Sequence, residues 1–255
     1  MGSDQADSLT ITLDDLQQHV VRYGLDVLPP IDVRNETTRA HDLFRSFQER
    51  WSQFYQEFSF RPQSGELAIL AAYGSNRGVV KIPTFTLTRR GPVLRFPLRL
   101  QDLGDFNQDQ DLDEVFRGSL GLTRKTFPGL QIYRVGLVRE LVFGTGQTPS
   151  IPYLSSRVGT FPGAAPRGGQ ILVAFRDSLC NIRVKVQTIE MRRVTRTPTV
   201  HVLSDQPEYG LQVEFDVNNV EMKPQSDGDL ETTLQRAHRL WPKELLKFIN
   251  WSETP

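Results

Sequence analysis

From Ala40 through Leu43, Phe44, Phe47, Trp51, Phe54 and Tyr55 to Phe58, apolar residues recur at three- and four-residue steps. The spacing predicts a helix over 40–58 with a wide aromatic stripe, the face that a helix lays against a sheet. A shorter helix is predicted over Leu13–Tyr23. Thr12 stands at its cap, Asp15 completes a capping-box spacing, Leu13, Leu16 and Val20 share a face, and Gly24 suits its end. Pro29 and Pro30 then force an extended turn. Toward the end of the chain Leu230, Leu234, Ala237, Trp241, Leu245 and Phe248 predict a long helix over 229–251, kinked or split by Pro242.

Between these stretches the period changes to two. Strands are predicted over 66–72, 79–87, 93–100, 131–143, 170–175, 180–190, 199–203 and 211–222, with a short helix near 111–120. In the last strand Leu211, Val213, Phe215 and Val217 turn inward, and Gln212, Glu214, Asp216 and Asn218 turn out. The strand over 131–143 presents Tyr133, Val135, Leu137, Leu141 and Phe143, an apolar face broken only by Arg139. Pro83 and Pro97 point to edge positions or bulges. Strands follow one another through turns and not through helices. The expected class is therefore α+β, with mostly antiparallel sheets in two strand-helix halves and a long C-terminal helix. The expected organisation is an N-terminal helix and tail (1–30), a helix with an antiparallel sheet (31–143), a Gly/Pro-rich loop (144–169) and a second sheet with the closing helix (170–255). A loop of that length is either functional or mobile.

Composition changes this picture little. The chain has 255 residues, of which 38% are hydrophobic and 24% charged, enough for a sizeable core. Its formal net charge is zero, so bulk charge singles out neither nucleic acid nor an acidic membrane. No apolar run reaches membrane-spanning length. One cysteine, Cys180, excludes a disulfide framework within the chain, and the first residues are polar; the expectation is a cytoplasmic, bacterial protein.

Motifs offer several temptations and little chemistry. "DFNQDQDLDEVF", Asp105–Phe116, spaces acids as a calcium loop does, but Gln110 replaces the turn glycine and Phe116 the closing carboxylate. An acidic helix start explains it better. "RGGQ" at 167–170 contains a catalytic tripeptide of release factors, yet it runs straight into an apolar strand. "TFPG" occurs at 126–129 and again at 160–163, where a turn before a strand is reason enough. His19, His41, His201 and His238 form no metal-ligand pair, and Cys180 has no neighbouring base. No catalytic residue, metal or cofactor is assigned. His238, at the border of the last apolar stripe, is read as a hydrogen-bonded boundary residue.

Charge is segregated along the chain. Basic residues cluster over 89–99 and 176–196, and acids over 205–231. Arg183 and Lys185 share one strand face. Arg89, Arg90, Arg183, Lys185, Arg192 and Arg193 are the candidate contacts to a partner or to nucleic acid, and Asp109, Asp111, Asp113 and Glu114 the candidate acidic, partner-facing set. Three functions follow. The first is a non-enzymatic binding or assembly protein, a homo-oligomer or bound to another protein through its sheet faces and the 144–169 loop. The second is a nucleic-acid-associated accessory protein. The third is an enzyme whose site is assembled under that loop.

"YRVGLVRELVF", "LQVEFDVNNVEM" and "LETTLQRAHRLWPKELLKFIN", with "VLPPID" upstream, resemble in order the R-h-G-L strand, the D-h-D-V strand, the closing helix and the proline pair of a sporadically distributed, uncharacterised bacterial family of about this length. Val138 and Leu141 depart from it, standing where the family strand carries polar residues. The resemblance implies two strand-helix halves and an accessory role, with no catalytic residues.

Overall fold

A computed structural model describes residues 10–51, 55–61, 66–71, 84–98, 108–146, 150–151, 168–191, 194–196, 201–203 and 208–250. The fold is α+β: nine antiparallel strands form one sheet, with the described α-helices on one face. In chain order the elements are β1 (Leu16–Leu28), α1 (Thr37–Arg50), β2 (Tyr55–Arg61), β3 (Glu66–Ala71), β4 (Thr84–Leu87), β5 (Pro92–Leu98), α2 (Gln108–Thr126), β6 (Gln131–Gly146), β7 (Gln170–Arg176), β8 (Cys180–Met191), β9 (Val194–Arg196), β10 (His201–Leu203), β11 (Glu208–Asn219), α3 (Asp227–Leu240) and α4 (Lys243–Asn250). The large sheet runs β2-β3-β4-β5-β1-β6-β11-β8-β7, and β9 with β10 makes a separate hairpin.

The first described strand lies in the middle of the sheet. β1 pairs with β5 on one side and β6 on the other. From β1 the chain moves through α1 to the β2 edge and returns strand by strand to β5, after which α2 follows. From β6 it moves to the opposite edge at β7 and returns through β8 and β11, after which α3 and α4 follow.

Two expectations from periodicity fail here. Residues 13–23 are no helix. A single 3-10 turn (Leu13–Asp15), carrying the predicted Thr12–Asp15 capping box, leads straight into β1. The helical spacing of Leu13, Leu16 and Val20 coexists with a stronger alternation of Val21, Tyr23, Leu25 and Val27, all buried against the helices. Two flanking strands then satisfy the β1 backbone, which a surface helix could not use. The aromatic helix is likewise shorter than its stripe. α1 ends at Arg50, and Tyr55 and Phe58 belong to β2, although they keep the stripe's phase.

The strands expected over 131–143, 170–175, 180–190 and 211–222 are present as β6, β7, β8 and β11. α2 is longer than expected, and the closing helix splits into α3 and α4 at Pro242. Ser226 caps α3, accepting from the backbone N–H of Asp229, whose carboxylate returns to the Ser226 N–H. In β6 the register slips between Asp26–Arg134 and Val27–Ile132, so Tyr133 is an extra residue and Ile132 takes its inward place. The amide of Asn219 fills the gap, accepting from the Val135 N–H at 2.9 Å and donating to the Tyr133 carbonyl at 3.0 Å. Pro97 is not on an edge strand. It sits in β5 opposite Val20, past the end of the described β4. Of the strand expected over 79–87, residues 79–83 lie outside the described residues, as does most of the 144–169 loop, whose first three residues complete β6.

The core lies between the sheet and its helices. Tyr23 stacks on Phe116 of α2 with centroids 4.8 Å apart, Phe47 of α1 packs on Phe85 at 4.6 Å, and Phe248 of α4 meets Phe175 edge-on. Asn250, the last residue of α4, clasps Ile11: its amide accepts from the Ile11 N–H and donates to the Ile11 carbonyl, each at 2.7 Å.

Candidate functional site

The alternation of each strand gives the sheet two unlike faces. On the helix-covered face buried polar strand residues, His19 of β1 and Arg139 of β6 among them, break the apolar rule. Arg139 of β6 is fully buried. Its guanidinium donates to His19 Nε2 from β1 and to His238 Nδ1 from α3, both at 3.1 Å, and lies 5.1 Å from the centroid of the Trp241 ring. Arginine has only donors, so both imidazoles accept, and the Nε2 proton of His238 is left to donate to Asp113 of α2 at 3.0 Å. Tyr23 donates to the same carboxylate at 2.7 Å. The relay thus joins β1, β6, α2 and α3 and opposes a buried guanidinium with a carboxylate across one imidazole.

An Asp–His pair at this distance resembles a general-base dyad. Its Nδ1 lone pair, however, is already engaged by Arg139, so this imidazole offers no free base. His238 is a hydrogen-bonded residue at the edge of the core, while Arg139, seen in sequence only as a break, is the centre of the network. Asp113, expected to face a partner, is a correction: it is 8% exposed and turned inward onto Tyr23 and His238. Its place on the helix, one turn in from the start and beside the apolar stripe, puts it against β1. Asp109 and Asp111 fall in the first turn of α2, and Glu114 is exposed on it. α2 lies across the sheet from the basic strand positions, so these acids do not meet them.

The opposite face carries the other charges. Arg183 and Lys185 do share it, as their alternation requires, but the register sets Asp216 opposite Arg183 and Glu214 opposite Lys185. Arg22 of β1 forms an ion pair with Glu140 of β6 at 2.9 Å. Arg89 and Arg90 are exposed in the β4–β5 turn, whose carbonyls accept from the Ile31 and Val27 N–H groups. That turn depends on Gly91, where φ is +150° and a Cβ would lie 2.4 Å from the Leu25 carbonyl oxygen. Arg192 and Arg193 lie outside the described residues. The structure therefore separates the basic set: Arg183 and Lys185 face acids on one flank, and Arg90 stands on the other.

There Arg90 joins residues that sequence reasoning did not select. A cleft of about 490 Å3 opens on this face, bordered by Arg22, Asp26, Arg90, Arg134, Val138 and Asp216. Its floor is Gly24 of β1 and Gly136 of β6, which are direct partners in the ladder. Arg134 is the register partner of Asp26 at one end, and Arg22 and Asp216 both flank Val138 at the other. Along β1 those ends are four residues apart, about 14 Å at strand rise. The Arg134–Gly136 motif and Asp216, quoted above from two distant strands, thus line one cleft. A second groove, of about 310 Å3, lies between α2 and α3 over Phe116, Leu120, Leu230 and Leu234. Arg117–Glu231 and Arg124–Asp227 ion pairs strap it.

Among the described residues no group of His, Cys, Asp and Glu side chains could hold a metal ion, and no helix is long and apolar enough to cross a membrane. In comparisons with known proteins, no family model and no curated protein matches the chain.

Proposed function

We propose that the chain is a non-enzymatic binding protein that engages a partner protein on the open face of its sheet. The observation that carries this reading is the recessed cleft over Gly24 and Gly136 at the centre of a face that carries both arginines and acids. Such a face offers charge complementarity and register, the properties that fix orientation and partner choice in an interface. The buried relay supports the division of labour: its imidazoles are committed to holding Arg139. We read the two outward-and-back runs, β1–α2 and β6–α4, as two strand-helix halves of one accessory module, acting in the cytoplasm.

Nucleic-acid binding through Arg183 and Lys185 is the weaker reading, because Asp216 and Glu214 stand across the ladder from them and would repel phosphates. Self-association and partner capture are measured by light scattering and by cross-linked pull-down. Wild type is compared with the charge reversals Arg95→Glu, at the exposed β5 position opposite Arg22, and Arg183→Glu. The reading expects a defined complex that both reversals weaken. A complex of unchanged affinity in both variants, or a monomer that captures nothing, refutes it.

A further inference from the structure

We propose that the central cleft also binds a small phosphate-bearing molecule of mononucleotide size, with its phosphate between Arg90 and Arg134 and a flat ring on the glycine floor. Two glycines mark the site. Glycine inside a strand weakens it and commonly marks a place where something approaches the backbone closely. Here two of them face each other across the central strand pair. Neither is among the positive-φ glycines. A Cβ at Gly24 would meet nothing within 4 Å, and one at Gly136 would find ordinary contact, its nearest neighbour being Asn218 Cβ at 3.4 Å. Neither packing nor backbone conformation asks for glycine at these positions, yet both are bare on the same side of the sheet.

The walls specify what could lie there. Val93 and Val138 border the bare floor, an apolar edge for a ring. Arg90 and Arg134 stand at one end against a single carboxylate, Asp26, and among the described residues neither forms an ion pair. Two guanidiniums that line one cleft from different elements suit a tetrahedral oxyanion better than a lysine pair would. Arg22 is not a third such group, since Glu140 holds it at 2.9 Å. At the far end Asp216 accepts from the Asn218 amide at 3.3 Å on one oxygen only, so its other oxygen can take a ring N–H or amino donor. The volume falls in the range of small-molecule sites.

The test is calorimetric titration of the full chain with adenosine 5′-monophosphate, inorganic phosphate and adenosine, alongside thermal melting. Supporting results are a monophosphate Kd below about 1 mM, at least roughly tenfold tighter than phosphate or adenosine, and loss of that binding in Arg134→Glu. Gly24→Val is the decisive variant. It adds a β-branched residue where space is open, so its Tm should hold or rise while ligand binding disappears. The inference is overturned if the monophosphate binds no better than inorganic phosphate or adenosine, if Gly24→Val binds as wild type does, or if no probe binds. Partner capture by Gly24→Val is scored separately: retained capture with lost ligand, or the reverse, separates this site from the partner reading.

Discussion

Removing the carboxylate at position 113 probes the buried relay from one end. Asp113→Ala takes from the buried Tyr23 hydroxyl and the half-buried Nε2–H of His238 the carboxylate to which both donate. It also leaves the fully buried Arg139 without its carboxylate across the imidazole. Each lost hydrogen bond to that carboxylate costs about 1–3 kcal/mol, and breaking a buried charge arrangement from one side costs about 3–5 kcal/mol. Because domains are stable by only about 5–15 kcal/mol, the variant should lose a large part of its stability. Arg139→Met acts on the other side, removing the donors to His19 and His238, and should cost a similar amount. The two changes act on one network, so the double variant should be less damaged than the sum by about 1–3 kcal/mol. Urea denaturation of the four proteins at neutral pH, followed by tryptophan fluorescence and extrapolated linearly, measures each term. Additive losses, or a cost below about 1 kcal/mol for either single variant, would refute the claim that these groups compensate one another.

Three other outcomes follow from local chemistry. Burial, with the negative charge of Asp177 behind it, pushes the Cys180 thiol up to about 11, so a thiol reagent at pH 8 should label the protein only in denaturant; prompt native labelling contradicts this. The Asp177 carboxyl is held below its ordinary value, first by the Cys180 N–H at 2.7 Å and further by the Leu179 N–H and Arg236. A depressed folded pKa stabilises above the unfolded value of 3.8 and is lost as pH falls through the lower folded one. The urea midpoints of wild type and Asp177→Asn should therefore differ most at pH 5 and above and converge toward pH 3 and below; a constant gap contradicts this. Ser226→Ala removes the α3 cap and should cost about 0.5–2 kcal/mol in the same urea assay, against no change at the exposed control Thr232→Ala.

Strands that pair on both sides with one polar face were legible from alternation alone. β8 and β11 carry Val184, Val186, Val213 and Phe215 inward, and charges outward. Legibility failed where two periods overlapped. Leu13, Leu16 and Val20 satisfy a helix, but Val21 to Val27 satisfy a strand, and only β5 and β6 decide between them. Tyr55 and Phe58 continued a helical stripe by coincidence of phase. The sites were harder still. Arg139 and His238 each stood out against an apolar background, yet their contact joins residues 99 positions apart. The Gly24–Gly136 floor exists only through the pairing of β1 with β6, and so does the cleft that Arg90 and Arg134 both line. Charge was readable by segment. Its neutralisation at Asp216 and Glu214 required the register.

The central position of β1 also governs the order in which the protein can be assembled. β1 leaves the ribosome before every other element of the sheet, but both of its ladder partners come much later, β6 later than β5. Until they arrive, Val21, Leu25 and Val27 have no sheet to join. The β2–β5 meander can pair locally while it waits. Closure through distant partners is slow and leaves apolar strand edges open in the interval. The Ile11–Asn250 clasp can be made only after α4 is complete. A nascent chain stalled before β5 should consequently hold its first strand exposed, the interval in which a holding chaperone would find it.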